Sequence, residues 1–178
     1  MIKHIALVFV LITFLFFSRE STLAQSSPSA VPKVEYQLPY PGVLPDNPLY
    51  FLKAARDRLV SILINDPLKK SEFNLLNSDK RIGAGIALVE KDKDALAVSV
   101  ISKSNNYLFD AVIAAEESKK LGKDTKSLSE NIRNSILKHK EKIEELEKLI
   151  DKKYVKELKS EYKRLEIMQE SVKQNLLK

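Results

Sequence analysis

The sequence has no cysteine, no tryptophan, four glycines and only two histidines among its 178 residues. Without cysteine there is no disulfide framework, no thiolate zinc site, no cysteine nucleophile and no lipid-modified cysteine. His4 belongs to the N-terminal segment, so His139 stands alone in the rest of the chain, which is too little for a histidine metal site within one chain. No phosphate-binding loop, nucleophile elbow or other cofactor motif is present, so no cofactor is expected. Aromatics are sparse, and after Pro48 the only proline is Pro67, which leaves long stretches free to be helical.

What is there begins with a basic start, Met1-Ile2-Lys3-His4, and an apolar run from Ile5 to Phe17. The run is shorter than the ~20 residues of a spanning helix and fits the core of a secretory signal peptide. Thr22-Leu23-Ala24 places small residues where a signal peptidase reads, predicting cleavage after Ala24; an uncleaved N-terminal anchor is the alternative. Both predict an extracytoplasmic chain, secreted, periplasmic or tethered to the cell membrane, with membrane contact only through the leader. The formal charge of +6 is spread among acidic neighbours rather than gathered into a stripe with stacking aromatics. That distribution predicts a solvated helical surface and no nucleic-acid partner.

Residues 25–38 carry Ser and Pro without a period and predict a flexible spacer, with a helical domain over 39–178. Pro39, Pro41, Pro45 and Pro48 hold the chain extended, and Gly42 supplies a turn between them. Asn47 followed by Pro48 predicts a capped helix start at Pro48. Leu49, Leu52, Ala55, Leu59, Ile62 and Leu63 form the expected core face of that first helix, with Asp57 off it. Val43, Leu44, Tyr50 and Phe51 are expected to clasp the lead onto the bundle.

Asn65-Asp66-Pro67 repeats the cap signal and opens a second helix to about Glu90, with Leu68, Leu75, Ile82, Ile86 and Val89 on one face. Gly83 and Gly85 interrupt it and predict close approach of a neighbouring helix. A third helix runs from Asp94 to Leu121, with Gly122 as its terminator and a bend allowed at Asn105-Asn106. The fourth, which Thr125 or Asp124 can cap, places Leu128, Ile132, Ile136, Ile143, Leu146 and Ile150 on one side, and His139 takes a seam position where Ile or Leu is expected. There it predicts a buried histidine bonded to a tyrosine or carboxylate of a facing helix rather than a catalytic one. Val155, Leu158, Tyr162, Leu165, Val172 and Leu176 continue the pattern. No glycine or proline marks a turn near Ile150-Asp151, so a hairpin, preferred for its change of phase at Tyr154-Val155, stands beside one helix of ~75 Å.

The whole predicts an all-α fold of about five helices in a largely antiparallel bundle behind a proline-rich extended lead. The run Tyr40-Pro41-Gly42-Val43-Leu44-Pro45-Asp46-Asn47-Pro48-Leu49-Tyr50-Phe51-Leu52-Lys53 resembles a bacterial family known as domain of unknown function 5667, and the stretch from His139 to Leu149 is similar to that family's histidine-centred helix. The resemblance implies an exported all-helical domain and brings no activity with it. Gly83 and Gly85 depart from the family pattern, as does the absence of a proline between helices four and five. With no catalytic set in view, the expected function is a non-enzymatic binding or structural module of the cell envelope, its partner a protein or envelope polymer. A periplasmic-type helical chaperone is the alternative.

Overall fold

The computed structural model describes residues 34–178. The expected leader, its expected cleavage site and the expected spacer as far as Lys33 lie outside the described residues. Five α-helices follow in order: α1 Tyr50–Leu63, α2 Pro67–Val89, α3 Asp94–Lys120, α4 Lys126–Leu146 and α5 Val155–Asn175, with a 3-10 turn, Lys152–Tyr154, before the last. The described residues contain no strand. Helices α2 to α5 form the bundle: α2 packs on α3, α3 on α5, α5 on α4 and α4 back on α2. Short connections make successive members antiparallel.

The α2–α3 pair is close because small residues recur every seventh position along both helices. Ser71, Ser78 and Gly85 on α2 face Ala111, Ser104 and Ala97 on α3 in antiparallel register. Ser71 Oγ donates to the Ala111 carbonyl at 2.6 Å, and Ser78 and Ser104 each donate to the other's carbonyl at 2.9 and 2.7 Å. A Cβ on Gly85 would stand 2.6 Å from Ile101 Cγ1, so glycine is what the approach requires. Gly83 differs: a Cβ there would meet Pro39 and Pro41 of the lead at 3.8 Å, an ordinary contact.

Helix ends follow the sequence signals with instructive exceptions. The Asp66 carboxylate accepts from the Leu68 and Lys69 amides, and Asp124 from that of Lys126. Gly122 closes α3 at φ 76°. Asp92, at φ 56°, does the same for α2, with the Lys93 amide bonded to the Leu88 carbonyl. The start of α1 is a correction: Asn47 accepts from the Leu49 amide at 2.8 Å, but Pro48 and Leu49 form a turn and the helix begins at Tyr50.

Helices α4 and α5 form a hairpin rather than one long helix. The turn needs no glycine or proline because Ile150 is buried as an anchor, the Asp151 carboxylate accepts from the Lys153 amide, and the Asp151 amide donates to Asp94 at 2.9 Å. Helix α3 passes through Asn105-Asn106 unbroken. Asn105 is fully buried and donates to the Glu161 carbonyl and carboxylate, while Asn106 accepts from Arg164, so the pair joins α3 to α5.

The largest correction concerns α1. Its one buried residue is Asp57, and Leu49, Phe51, Leu52, Leu59, Ile62 and Leu63 are 57–77% exposed. The expected core face points to solvent, and α1 makes no extensive contact with any bundle helix.

Candidate functional site

Two places gather the residues that the sequence singles out. In the first, the lead is fastened to the bundle. The Val34 amide donates to Glu141 at 2.9 Å, and Lys138 Nζ bridges the Val34 carbonyl and Glu141. Burial works against charge on Glu141, but the bonds from Lys138 and the Val34 amide outweigh it, and its carboxyl sits below the ordinary range. Docking therefore already includes Val34, upstream of Pro39. Leu38 and Leu44 pack against the core, and Asp46 takes bonds from Lys93 at 2.8 Å and Lys91 at 3.2 Å at the α2–α3 turn. Those lysines hold the Asp46 carboxyl below its ordinary range.

At the centre of this fastening is Asp79 of α2, almost fully buried. Its Oδ2 accepts from the Tyr36 hydroxyl at 2.6 Å, and its Oδ1 from the Ser135 hydroxyl at 2.6 Å and from His139 Nε2 at 2.9 Å. Ser135 precedes His139 by one turn of α4, so one face of α4 presents both donors. Burial, then the Asp79 carboxylate, pushes the Tyr36 hydroxyl well above its ordinary value, so the phenol stays a donor. His139 is fully buried and its Nδ1 meets no partner. Ser135 gives its proton to Asp79 and lies 3.4 Å from the same Nε2, whereas a nucleophile relay places serine and acid on opposite ring nitrogens. As built, the cluster joins the lead, α2 and α4 in one network that satisfies the Asp79 carboxylate and leaves His139 Nδ1 without a partner among the described residues.

In the second place, the motif forms the root of α1. Gly42 sits at φ 72°, and Lys53 Nζ reaches back to donate to the Pro41 carbonyl at 2.6 Å and the Val43 carbonyl at 3.3 Å, with its ammonium 5.6 Å from the Tyr50 ring centre. The Asn47 and Tyr50 amides donate to the Leu44 and Asn47 carbonyls. Pro41, Gly42, Leu44, Pro45, Asn47, Pro48, Tyr50 and Lys53 thus come together. Tyr40 and Leu52 project outward, and His139 lies in the Asp79 cluster instead. The expected clasp is half right: Leu44 packs on the core and Tyr50 is partly covered, but Val43 and Phe51 are exposed.

Between α1 and the α2–α3 pair lies a cleft of about 700 Å³. Ala54, Arg58, Ser61 and Ile62 line it from α1, and Lys70, Asn74, Arg81, Tyr107, Asp110 and Glu117 line the opposite side. Lys70 Nζ crosses it to the Ser61 carbonyl, and the Arg81 guanidinium stacks 4.0 Å over the Tyr107 ring. The wall is mixed in charge, and the described residues hold no group of three or more His, Asp or Glu arranged to hold a metal ion. No described helix is long and apolar enough to cross a membrane.

Reading from sequence missed Asp79 and Ser135, and it placed Tyr36 only among exposed aromatics and not in this cluster. A signal existed for Asp79: it falls between Leu75 and Ile82 at core spacing, an acid on an apolar face, as His139 is an imidazole on one. Two polar anomalies on facing helices point to each other.

The sequence pattern of a family described as Domain of unknown function (DUF5667) matches residues 42–176. Neither a curated protein nor a solved structure matches the chain.

Proposed function

The chain belongs to the domain of unknown function 5667 family, and from that premise and the geometry we propose that it is a non-enzymatic, extracytoplasmic module of the cell envelope that binds through an exposed face. One observation carries the proposal: α1 is held by its polar side and offers its apolar side to solvent with none of the described residues covering it. A contiguous apolar surface on an otherwise well-packed bundle is the mark of an interaction site. The leader-like N-terminal sequence supports the envelope location. The inward-turned Asp79 cluster supports a structural use of His139, since all three donors onto Asp79 are spent within the fold. In-cell crosslinking from α1, followed by identification of what is captured, tests the reading. Envelope components lost on substituting Leu59 and Ile62 by serine are expected; capture confined to cytoplasmic proteins overturns it.

The exposed apolar face beside a cleft bordered by Arg58, Lys70 and Arg81 also favours a chaperone for unfolded envelope proteins. That reading predicts suppressed aggregation of a reduced model client, weakened by the same serine substitutions. Unchanged client aggregation removes it.

A further inference from the structure

We propose that the outward face of α1 is a bilayer-contacting surface that recognises anionic phospholipid, a deepening that rests on the envelope reading above. The helix is a convex ridge: Phe51, Leu52, Leu59 and Leu63 stand out from the bundle, each more than half exposed, and Ile62, also more than half exposed, sits on the rim of the cleft. At 14 residues it is about 21 Å long, which suits lying in a membrane interface and not spanning it. The charges choose between a lipid surface and a second copy of the chain. Arg56 and Arg58 flank the apolar stripe, and Asp57, the only acid of the helix, is buried and already paired with Arg56 at 2.7 Å, which leaves Arg58 as the arginine of the helix with no acid partner among the described residues. Two α1 ridges facing each other would set arginine against arginine with no acid of the helix free to pair across. A phospholipid surface supplies the anion that Arg58 lacks, its long side chain reaching a phosphate while the leucines enter the acyl boundary. The contact is additional to anything the N-terminal leader does at a membrane.

The absence of native cysteine makes the test clean. Full-length chains carrying Ile62→Cys on α1 or Ile167→Cys on α5, both highly exposed, are labelled with an environment-sensitive fluorophore and mixed with vesicles. The vesicles are phosphatidylcholine alone or with one quarter phosphatidylglycerol. A blue shift, with quenching by lipid-borne spin labels, is expected at Ile62→Cys on the anionic vesicles and not at Ile167→Cys. Arg58→Gln should raise the lipid needed for the half-maximal shift by about fivefold. The proposal is overturned if the Ile62→Cys label stays unchanged while vesicles sediment the chain through its leader. A shift equal at both labels, equal on both vesicle types, or rising with protein concentration without vesicles also overturns it, the last assigning the face to a second copy. If the label is silent but in-cell crosslinking captures an envelope protein, the lipid proposal falls and the envelope module stands.

Discussion

Helices α1 and α4 carry the same kind of pattern, aliphatic residues at three- and four-residue steps, and the fold uses them in opposite ways. Ile132, Ile136 and Ile143 of α4 are fully buried, whereas Leu59, Ile62 and Leu63 of α1 are among the most exposed apolar residues. The difference lies in what holds each helix. Helix α4 is held through its apolar side, packed on α2 and α5. Helix α1 is held through its polar side, by Lys53 on the Pro41 and Val43 carbonyls and by Lys70 on the Ser61 carbonyl. Periodicity identifies a face of a helix; it does not say whether the protein itself covers that face.

The contrast breaks if core truncations in the two helices cost alike. Ile136→Ala should destabilise by about 2–5 kcal/mol in chemical denaturation, from lost burial and the cavity left behind. Asp79→Ala removes the acceptor of three donors, two of them on fully buried residues, and is expected to cost about 3 kcal/mol. A double-mutant cycle with Tyr36→Phe separates the lead's share from that of α4. No coupling between the two substitutions would mean that Tyr36 does not fasten the lead.

Most of the bundle was legible because its signals are local. Asp66-Pro67, Asp124 and Gly122 mark ends, and the aliphatic steps of α2 to α5 mark faces that the same chain covers. The hairpin turn was less legible because Asp151 and buried Ile150 replace the usual glycine or proline. The site was least legible, since Tyr36, Asp79, Ser135 and His139 are brought together only by tertiary packing across more than a hundred residues of chain. The seventh-position run of Ser71, Ser78 and Gly85 against Ala97, Ser104 and Ala111 was present in the sequence all along, though small residues carry little weight in a hydrophobic pattern.

The two interrupting glycines sharpen the contrast on a smaller scale, because one is needed by the bundle and the other faces the lead. Gly85→Ala forces Ile101, which is fully buried, to move and should cost about 1–3 kcal/mol through overpacking. Gly83→Ala has ordinary clearance from Pro39 and Pro41 and removes backbone freedom from the unfolded chain, so a gain of about 0.4–1 kcal/mol is expected. Thermal denaturation of the two variants moving in the same direction would contradict the packing described for α2.

The smallest effect is the most telling. Leu59→Ala and Ile62→Ala truncate large aliphatic residues, yet each should change stability by under ~0.5 kcal/mol, because both side chains stay mostly in water on folding. Amide exchange supplies the complementary reading. With few buried apolar contacts behind it, α1 should open at a free energy well below that of α3, whose amides should exchange only on global unfolding. If Leu59→Ala instead costs as much as Ile136→Ala, or if α1 amides are protected like those of α3, something covers the leucine face in solution. Repeating the exchange at low protein concentration then tells whether the cover is a second copy or the chain's own remaining residues, because only the former is lost on dilution.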